Sequence, residues 1–271
     1  MQFVFDLVVE KWLPSAPLTR FFMRKFLSYQ PLFAVILFIL SCHSTYQPQA
    51  VQYKDYRIAP GQSSSNEMNA LLKPYSDSVN KSMNDEIAVA GMTLEKKQPE
   101  GALGNVLADA MLVMAREKYQ TKIDASFVNY GGIRLSSIPK GSISRGKVFE
   151  LSPFDNMIVL LTLNGKVLQQ FLDHVAAKGG WPCAGISFQI KNKVAVNINI
   201  AGKAFDSSKD YVIALADYVA NGGDDCVMLK DIAQQGNGYL FRDAVLNYFS
   251  KLNKEGKQVT ASIENRITNA E

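Results

Sequence analysis

DASFVNYGGIR, residues 124–134, reads as a short apolar strand that runs directly into a loop with two adjacent glycines between Asn129 and Arg134. Glycine tolerates positive φ and lets a ligand approach the main chain, so a Gly-Gly pair flanked by an amide and a charge suits a loop built around something polar. The arrangement recurs at DYVIALADYVANGGDD, residues 210–225, where a strand delivers the chain into a second loop holding Gly222 and Gly223. Between the loops lie a strand, MIVLLTLNG (157–165), a helix, KVLQQFLDHVAAK (166–178), and two further strands, AGISFQI (184–190) and VAVNINIAG (194–202). Before them, GALGNVLADAMLVMAREKY (101–119) carries Leu103, Val106, Leu107, Ala110, Met111 and Met114 at helical spacing, with Asp109, Arg116 and Glu117 elsewhere. SNEMNALLKPYSDSVNKSMN (65–84) suits a helix that Pro74 must kink or interrupt, EIAVAG (86–91) a short strand, FRDAVLNYFSKL (241–252) a closing helix and TASIENRI (260–267) a last strand. Strands and helices mix without a regular βαβ period. The expected class is therefore α+β, a mixed α/β sandwich, rather than a doubly wound sheet.

The 271 residues are 47% hydrophobic, ample for a packed core, and the formal charge is +4. Part of that charge sits in residues 1–42, and the remainder is nearly neutral. So weak a field gives no footprint for a nucleic acid polymer, whose binding leans on clustered Lys and Arg. Residues 23–42, MRKFLSYQPLFAVILFILSC, have a basic start, an apolar run from Leu32 to Leu40 and then Ser41 and Cys42, the layout of a secretory signal. The run is far shorter than the roughly 20 residues that cross a bilayer. ILSC resembles a bacterial lipobox, which makes Cys42 the expected acylation site and residues 1–22 a start-site extension. The expected organisation is a leader (1–42), a tether (43–50) and a domain (51–271) that opens on a strand, VQYKDYRI. Expected location is beyond the inner membrane, as a periplasmic or outer-membrane-anchored lipoprotein. Cys183 and Cys226 then remain, and their pairing is left open.

Only His43 and His174 exist, so a dinuclear phosphoesterase site, which needs several His and carboxylates, cannot be assembled here. His174 reads as a helix-surface or half-buried imidazole. No GxSxG, Walker loop or post-strand GxGxxG is found.

Five stretches, PEGALGNVLADAM (99–111), NYGGIR (129–134), PFDNMIV (153–159), DYVANGGDD (217–225) and IENRI (263–267), resemble in order the motifs of the 5'-nucleotidase C-terminal domain family. The resemblance covers roughly residues 51–268. It implies the domain that holds the nucleoside in a two-domain hydrolase whose other, dimetal domain cuts the phosphate ester. Phe154 and Tyr218, the latter where the family usually has Phe, would sandwich the base. Asn129 would bond the base edge, Arg134 ribose or phosphate oxygens, and Asp224 the ribose hydroxyls. Gly131, Gly132, Gly222 and Gly223 would keep the loops close to the ligand, and Asn156 and Asn221 complete the candidate set. No catalytic residue or cofactor is expected in this chain. The divalent metals would belong to a separately encoded metallophosphoesterase.

The residue types suit these roles: aromatic faces stack on any base, a guanidinium forks onto oxygens and a carboxylate accepts from a diol. Two stacking faces contribute about 2–6 kcal/mol, whereas a millimolar complex needs about 4.1, so Arg134 and Asp224 must supply the rest. Two departures bear on the substrate. Asp225 and Cys226 stand where the family has glycine and an aromatic, and a carboxylate there would repel a phosphate. Lys96 and Lys97 stand where relatives often carry arginine. The alternatives are a non-catalytic nucleotide-binding lipoprotein and a split hydrolase for another phosphate ester.

Overall fold

The computed structural model describes residues 53–54 and 65–270. The chain divides into two units, Met1–Ser63 and Ser64–Glu271. The expected leader, Cys42, His43, the tether and all but two residues of the VQYKDYRI strand lie outside the described residues. Every described strand and helix belongs to the second unit.

The centre of this unit is a five-stranded mixed sheet in the order β12-β6-β11-β3-β7, formed by β3 (Ala125–Phe127), β6 (Met157–Asn164), β7 (Cys183–Ala184), β11 (Asp210–Ala216) and β12 (Gln234–Leu240). Within this sheet, among the described residues, only β11 and β3 pair in parallel. A second sheet, β10-β9-β8-β13, comprises β8 (Ile186–Lys191), β9 (Val194–Ile200), β10 (Lys203–Ala204) and β13 (Ile267–Asn269). Two short antiparallel pairs, β1 (Glu86–Ala90) with β5 (Gly141–Ser144) and β2 (Leu94–Glu95) with β4 (Ser137–Ile138), complete the strands.

The apolar run of β6 is buried on both sides, and its period of two divides the core. Ile158 and Leu160 face a cluster built with α2 (Ala102–Tyr119) and α6 (Phe241–Lys254). Val159, Leu161 and Leu163 face another, built with α4 (Gly165–Ala177) and the second sheet. The stripe Leu103, Val106, Leu107, Ala110, Met111 and Met114 of α2 is wholly buried, as its spacing predicts. Asn164 caps α4, its Oδ1 accepting from Val167 N at 3.0 Å. Helices and mixed sheets in this arrangement are the expected α+β class.

Five details differ from the expectations. α1 (Asn66–Met83) continues through Pro74 as one helix. It buries no residue, so a carbonyl freed by the proline can meet water, and Ser76 Oγ donates to the neighbouring Lys73 carbonyl. The strand at 210–220 stops at Ala216, and Asp217–Ala220 form a helical turn, α5. Gly185, at φ +77°, breaks AGISFQI into β7 and β8, because its backbone passes so close to Asp124 that a Cβ would lie 2.3 Å from the Asp124 oxygen. The final strand begins only at Ile267, since the amides of Glu264 and Arg266 donate to the Glu100 carboxylate and Asn265 is left-handed. A helix at Arg145–Leu151 (α3), capped by Ser144, has no counterpart among the expected elements. Cys183 and Cys226 are separate buried thiols.

Candidate functional site

The two glycine loops leave the ends of neighbouring strands. β3 ends at Phe127 and the chain passes through Asn129 into a 3₁₀ turn, Tyr130–Gly132, while β11, its parallel neighbour, ends at Ala216 and leads through α5 into Gly222–Asp225. The third segment, 153–156, precedes β6, the antiparallel neighbour of β11. One register thus brings three distant stretches to one edge.

They enclose a cavity of about 320 Å³ lined by Asn129, Gly131, Gly132, Arg134, Phe154, Asn156, Tyr218 and Asp224. That volume lies at the lower end of the roughly 300–1,000 Å³ of small-molecule sites. Asn221, Gly222 and Gly223 do not line it but shape the loop behind. Asn221 Oδ1 accepts from Gln234 Nε2 at 3.0 Å. Gly222 takes φ +91°, and a Cβ on Gly223 would lie 2.5 Å from Tyr218 Cζ.

Phe154 and Tyr218 are 42% and 46% exposed, so neither ring is a core residue. Asn129, by contrast, is 7% exposed. Its Nδ2 donates to Asp224 Oδ2 at 2.7 Å, and Tyr218 OH donates to Asp224 Oδ1 at 3.1 Å. Each carboxylate oxygen therefore has one protein donor, and an ionised carboxylate has about four acceptor positions, which leaves capacity for a diol. Arg134 has no carboxylate partner among the described residues. Its Nη1 makes a long 3.4 Å bond to Gly131 O, and its Cζ lies 5.7 Å from the Phe154 ring centroid.

Asp224 and Asp225 are both left-handed, φ 51° and 65°, a conformation that costs a non-glycine residue roughly 1–2 kcal/mol. The last turn of α4 holds them. His174 Nε2 donates to the Asp224 carbonyl at 2.9 Å, and Lys178 Nζ bonds Asp225 Oδ2 at 2.9 Å. This bears on two expectations. Asp225 does not line the cavity but is paired with Lys178, whose ammonium lowers the Asp225 pKa while Asp225 raises that of Lys178. His174 is the half-buried helix imidazole expected, and its bond also supports the loop that carries Asp224. The sequence signal for both was helical spacing, since His174 and Lys178 fall four apart on one face.

Asp217 also escaped sequence reading. Its Oδ1 accepts from Tyr218 N at 2.8 Å and Met157 N at 3.1 Å, tying the two ring-bearing segments together. Lys96 donates to Ile133 O at 2.9 Å and lies 3.9 Å from the Tyr130 ring centroid. Burial, then the nearby Arg134 charge, lowers its pKa. Lys97 pairs with Glu95. The Cys226 thiol, behind the loop, is pushed up to about 12 by burial and by Asp224 and Asp225. Among the described residues no group of three or more His, Cys, Asp or Glu is placed to hold a metal ion.

The family model for the 5'-nucleotidase, C-terminal domain, matches residues 79–231, which include every residue lining the cavity. The chain belongs to that family. Its relatives include the trifunctional nucleotide phosphoesterase protein YfkN of Bacillus subtilis (strain 168), 31% identical over 198 residues, which are 67% of this chain and 13% of that protein. Protein UshA of Escherichia coli (strain K12) is 33% identical over 118 residues, 42% of this chain and 21% of UshA. Among solved structures, a 5'-nucleotidase precursor from Thermus thermophilus matches with a TM-score of 0.65 and 27% identity, over 74% of this chain and 42% of that one. The chain thus spans less than half the length of these family members.

Proposed function

We propose that this chain is the nucleotide- or nucleoside-binding, substrate-specificity unit of a 5'-nucleotidase-like phosphoric ester hydrolase of nucleotide catabolism, working with a separately encoded metallophosphoesterase. One observation carries the reading: two half-exposed aromatic rings, an immobilised carboxylate and a guanidinium without a carboxylate partner among the described residues line a single cavity of nucleoside size. Phe154 and Tyr218 grip the base, Asp224 accepts from the sugar hydroxyls, and Arg134 reaches the ribose or phosphate oxygens. The chain's contribution to reaction is orientation; water attack on the 5'-phosphate is activated by divalent metals on the partner. The leader is a secretory signal and Cys42 carries the lipid that anchors the protein outside the cytoplasm.

The test is calorimetric titration of the purified chain with AMP and adenosine. Phe154→Ala and Tyr218→Ala should each raise Kd by about 5- to 150-fold, the equivalent of the roughly 1–3 kcal/mol of one stacked base. The chain alone should release no phosphate from AMP with Mn²⁺, Zn²⁺ or Mg²⁺. Turnover by the isolated chain would refute the division of labour, and binding indifferent to both ring deletions would refute the clamp.

A further inference from the structure

Arg242 stands second in α6, where the helix dipole disfavours a cation, and its residue surface is only 9% exposed. A buried arginine at the wrong end of a helix needs a local reason. Its guanidinium points at the segment that carries Phe154. Nη1 donates to the carbonyls of Pro153 at 3.3 Å and Phe154 at 3.4 Å, and Nη2 bonds Asp155 Oδ1 at 2.6 Å. The guanidinium lies over the Phe149 ring, its Cζ 4.3 Å from the centroid. The preceding amide, Phe241 N, donates to Asn156 O at 2.9 Å, so 153–156 is held by the start of α6 along its whole length.

We propose that Arg242 is a positioning residue for the ligand site, fixing the backbone from which Phe154 and Asn156 face the cavity. The inference rests on the nucleotide-binding reading and adds a residue outside the span matched by the family model. Two features separate it from an ordinary ion pair. The Asp155 side chain is 78% exposed, and exposed pairs contribute little, so the constraint falls on the two long carbonyl bonds together with the stack on Phe149. The guanidinium also keeps this orientation although its Nε is buried with no partner among the described residues, a loss tolerated for the sake of the fork and of the stacking on Phe149. Lysine, a single point charge on a flexible stem, can reproduce neither the fork nor the stack. Asp217 completes the arrangement: because it bonds both Met157 N and Tyr218 N, a displaced 153–156 segment also changes its distance from the second ring.

The experiment is a double-mutant cycle in AMP titrations, with Arg242→Met and Arg242→Lys made in the wild-type and Phe154→Ala backgrounds, alongside amide hydrogen exchange without ligand. Arg242→Met should weaken AMP binding by about tenfold in the wild-type background and by less than about twofold when Phe154 is already gone. Arg242→Lys, which keeps the charge, should fail to rescue, whereas Asp155→Ala should bind as wild type. Exchange at 154–157 should quicken in Arg242→Met while α2 and the central sheet keep their protection. Equal losses in both backgrounds, full rescue by lysine, or unchanged exchange at 154–157 would each overturn the inference. If the wild-type chain binds no AMP, the proposed function fails instead, and the exchange arm still decides whether Arg242 holds the segment.

Discussion

Gly223→Ala tests the loop geometry with a single methyl group. A Cβ at this position would lie 2.5 Å from Tyr218 Cζ, 2.6 Å from Tyr218 Cε1 and 2.5 Å from the Tyr218 carbonyl oxygen. Ordinary carbon contacts are about 3.5–4.0 Å, so roughly 1 Å must be found on two fronts. The ring is half exposed and can swing, but the carbonyl belongs to α5 and cannot. Strain of this kind costs about 1–3 kcal/mol, which in a unit of this size lowers Tm by roughly 2–4 °C for each kcal/mol. Swinging the ring removes one stacking face and the hydroxyl that bonds Asp224, so AMP affinity should fall by about 5- to 150-fold, from the roughly 1–3 kcal/mol of a stacked base. Gly131→Ala is the control in the same cavity, since a Cβ there meets nothing within 4 Å. Its Tm should match that of the wild-type chain. Thermal melts and calorimetric titrations of both variants are the assay. A Gly223→Ala chain that melts lower yet binds AMP with wild-type affinity would show that the Tyr218 ring does not touch the ligand.

Two further outcomes depend on charge. Lys178→Ala leaves the Asp225 carboxylate unpaired beside the loop, so the ratio of AMP to adenosine affinity should fall, and the Asp225 pKa, now held low by Lys178, should rise when followed by carboxyl NMR. That pair is intact above the ordinary carboxylate pKa and is lost as pH falls through the lowered Asp225 value, but protonation removes the Asp225 charge and leaves Lys178 cationic, so acid should not lower the ratio as the substitution does; an unchanged ratio in Lys178→Ala would mean that the cavity does not sense Asp225. Burial pushes the Cys183 thiol from 9.0 up to about 12. A pKa raised on folding gives stability that is complete below pH 9 and lost as pH climbs toward 12, so Cys183→Ala should show a shallower alkaline decline in Tm. In the native chain at pH 8, neither Cys183 nor Cys226 should react with a thiol reagent until denaturant is added, and rapid native labelling would contradict their burial.

How much the sequence discloses depends on the range of each interaction. The α2 stripe, the two-sided run of β6 and the glycine loops express themselves within a few residues, as a period or as a backbone conformation, and each stands where its pattern implies. β12, by contrast, is QQGNGYL, with no apolar alternation to announce it, and is a strand because its backbone pairs with the edge of β6. The supports of the site are hidden for a related reason. Asn129 meets Asp224 across 95 positions, His174 meets Asp224 across 50, and Arg242 meets Pro153 across 89. Such pairs leave no period to read, only residues at odds with their surroundings: a cation at a helix N-terminus, or two aspartates in left-handed turns.

These mismatches have a common physical explanation. A non-glycine residue is held left-handed, and a guanidinium buried with one donor unpaired, only where surrounding bonds over-determine the conformation. Here α4 imposes it on Asp224 and α6 on the Phe154 segment, both from rigid helices packed on opposite faces of the central sheet. The carboxylate and the main chain that bears Phe154 are therefore set without a ligand, so under the proposed function binding need not spend its modest stacking energy on ordering loops. An affinity that weakens steeply when Arg242 or His174 is removed, without loss of any group that touches the ligand, is what such a preset site requires.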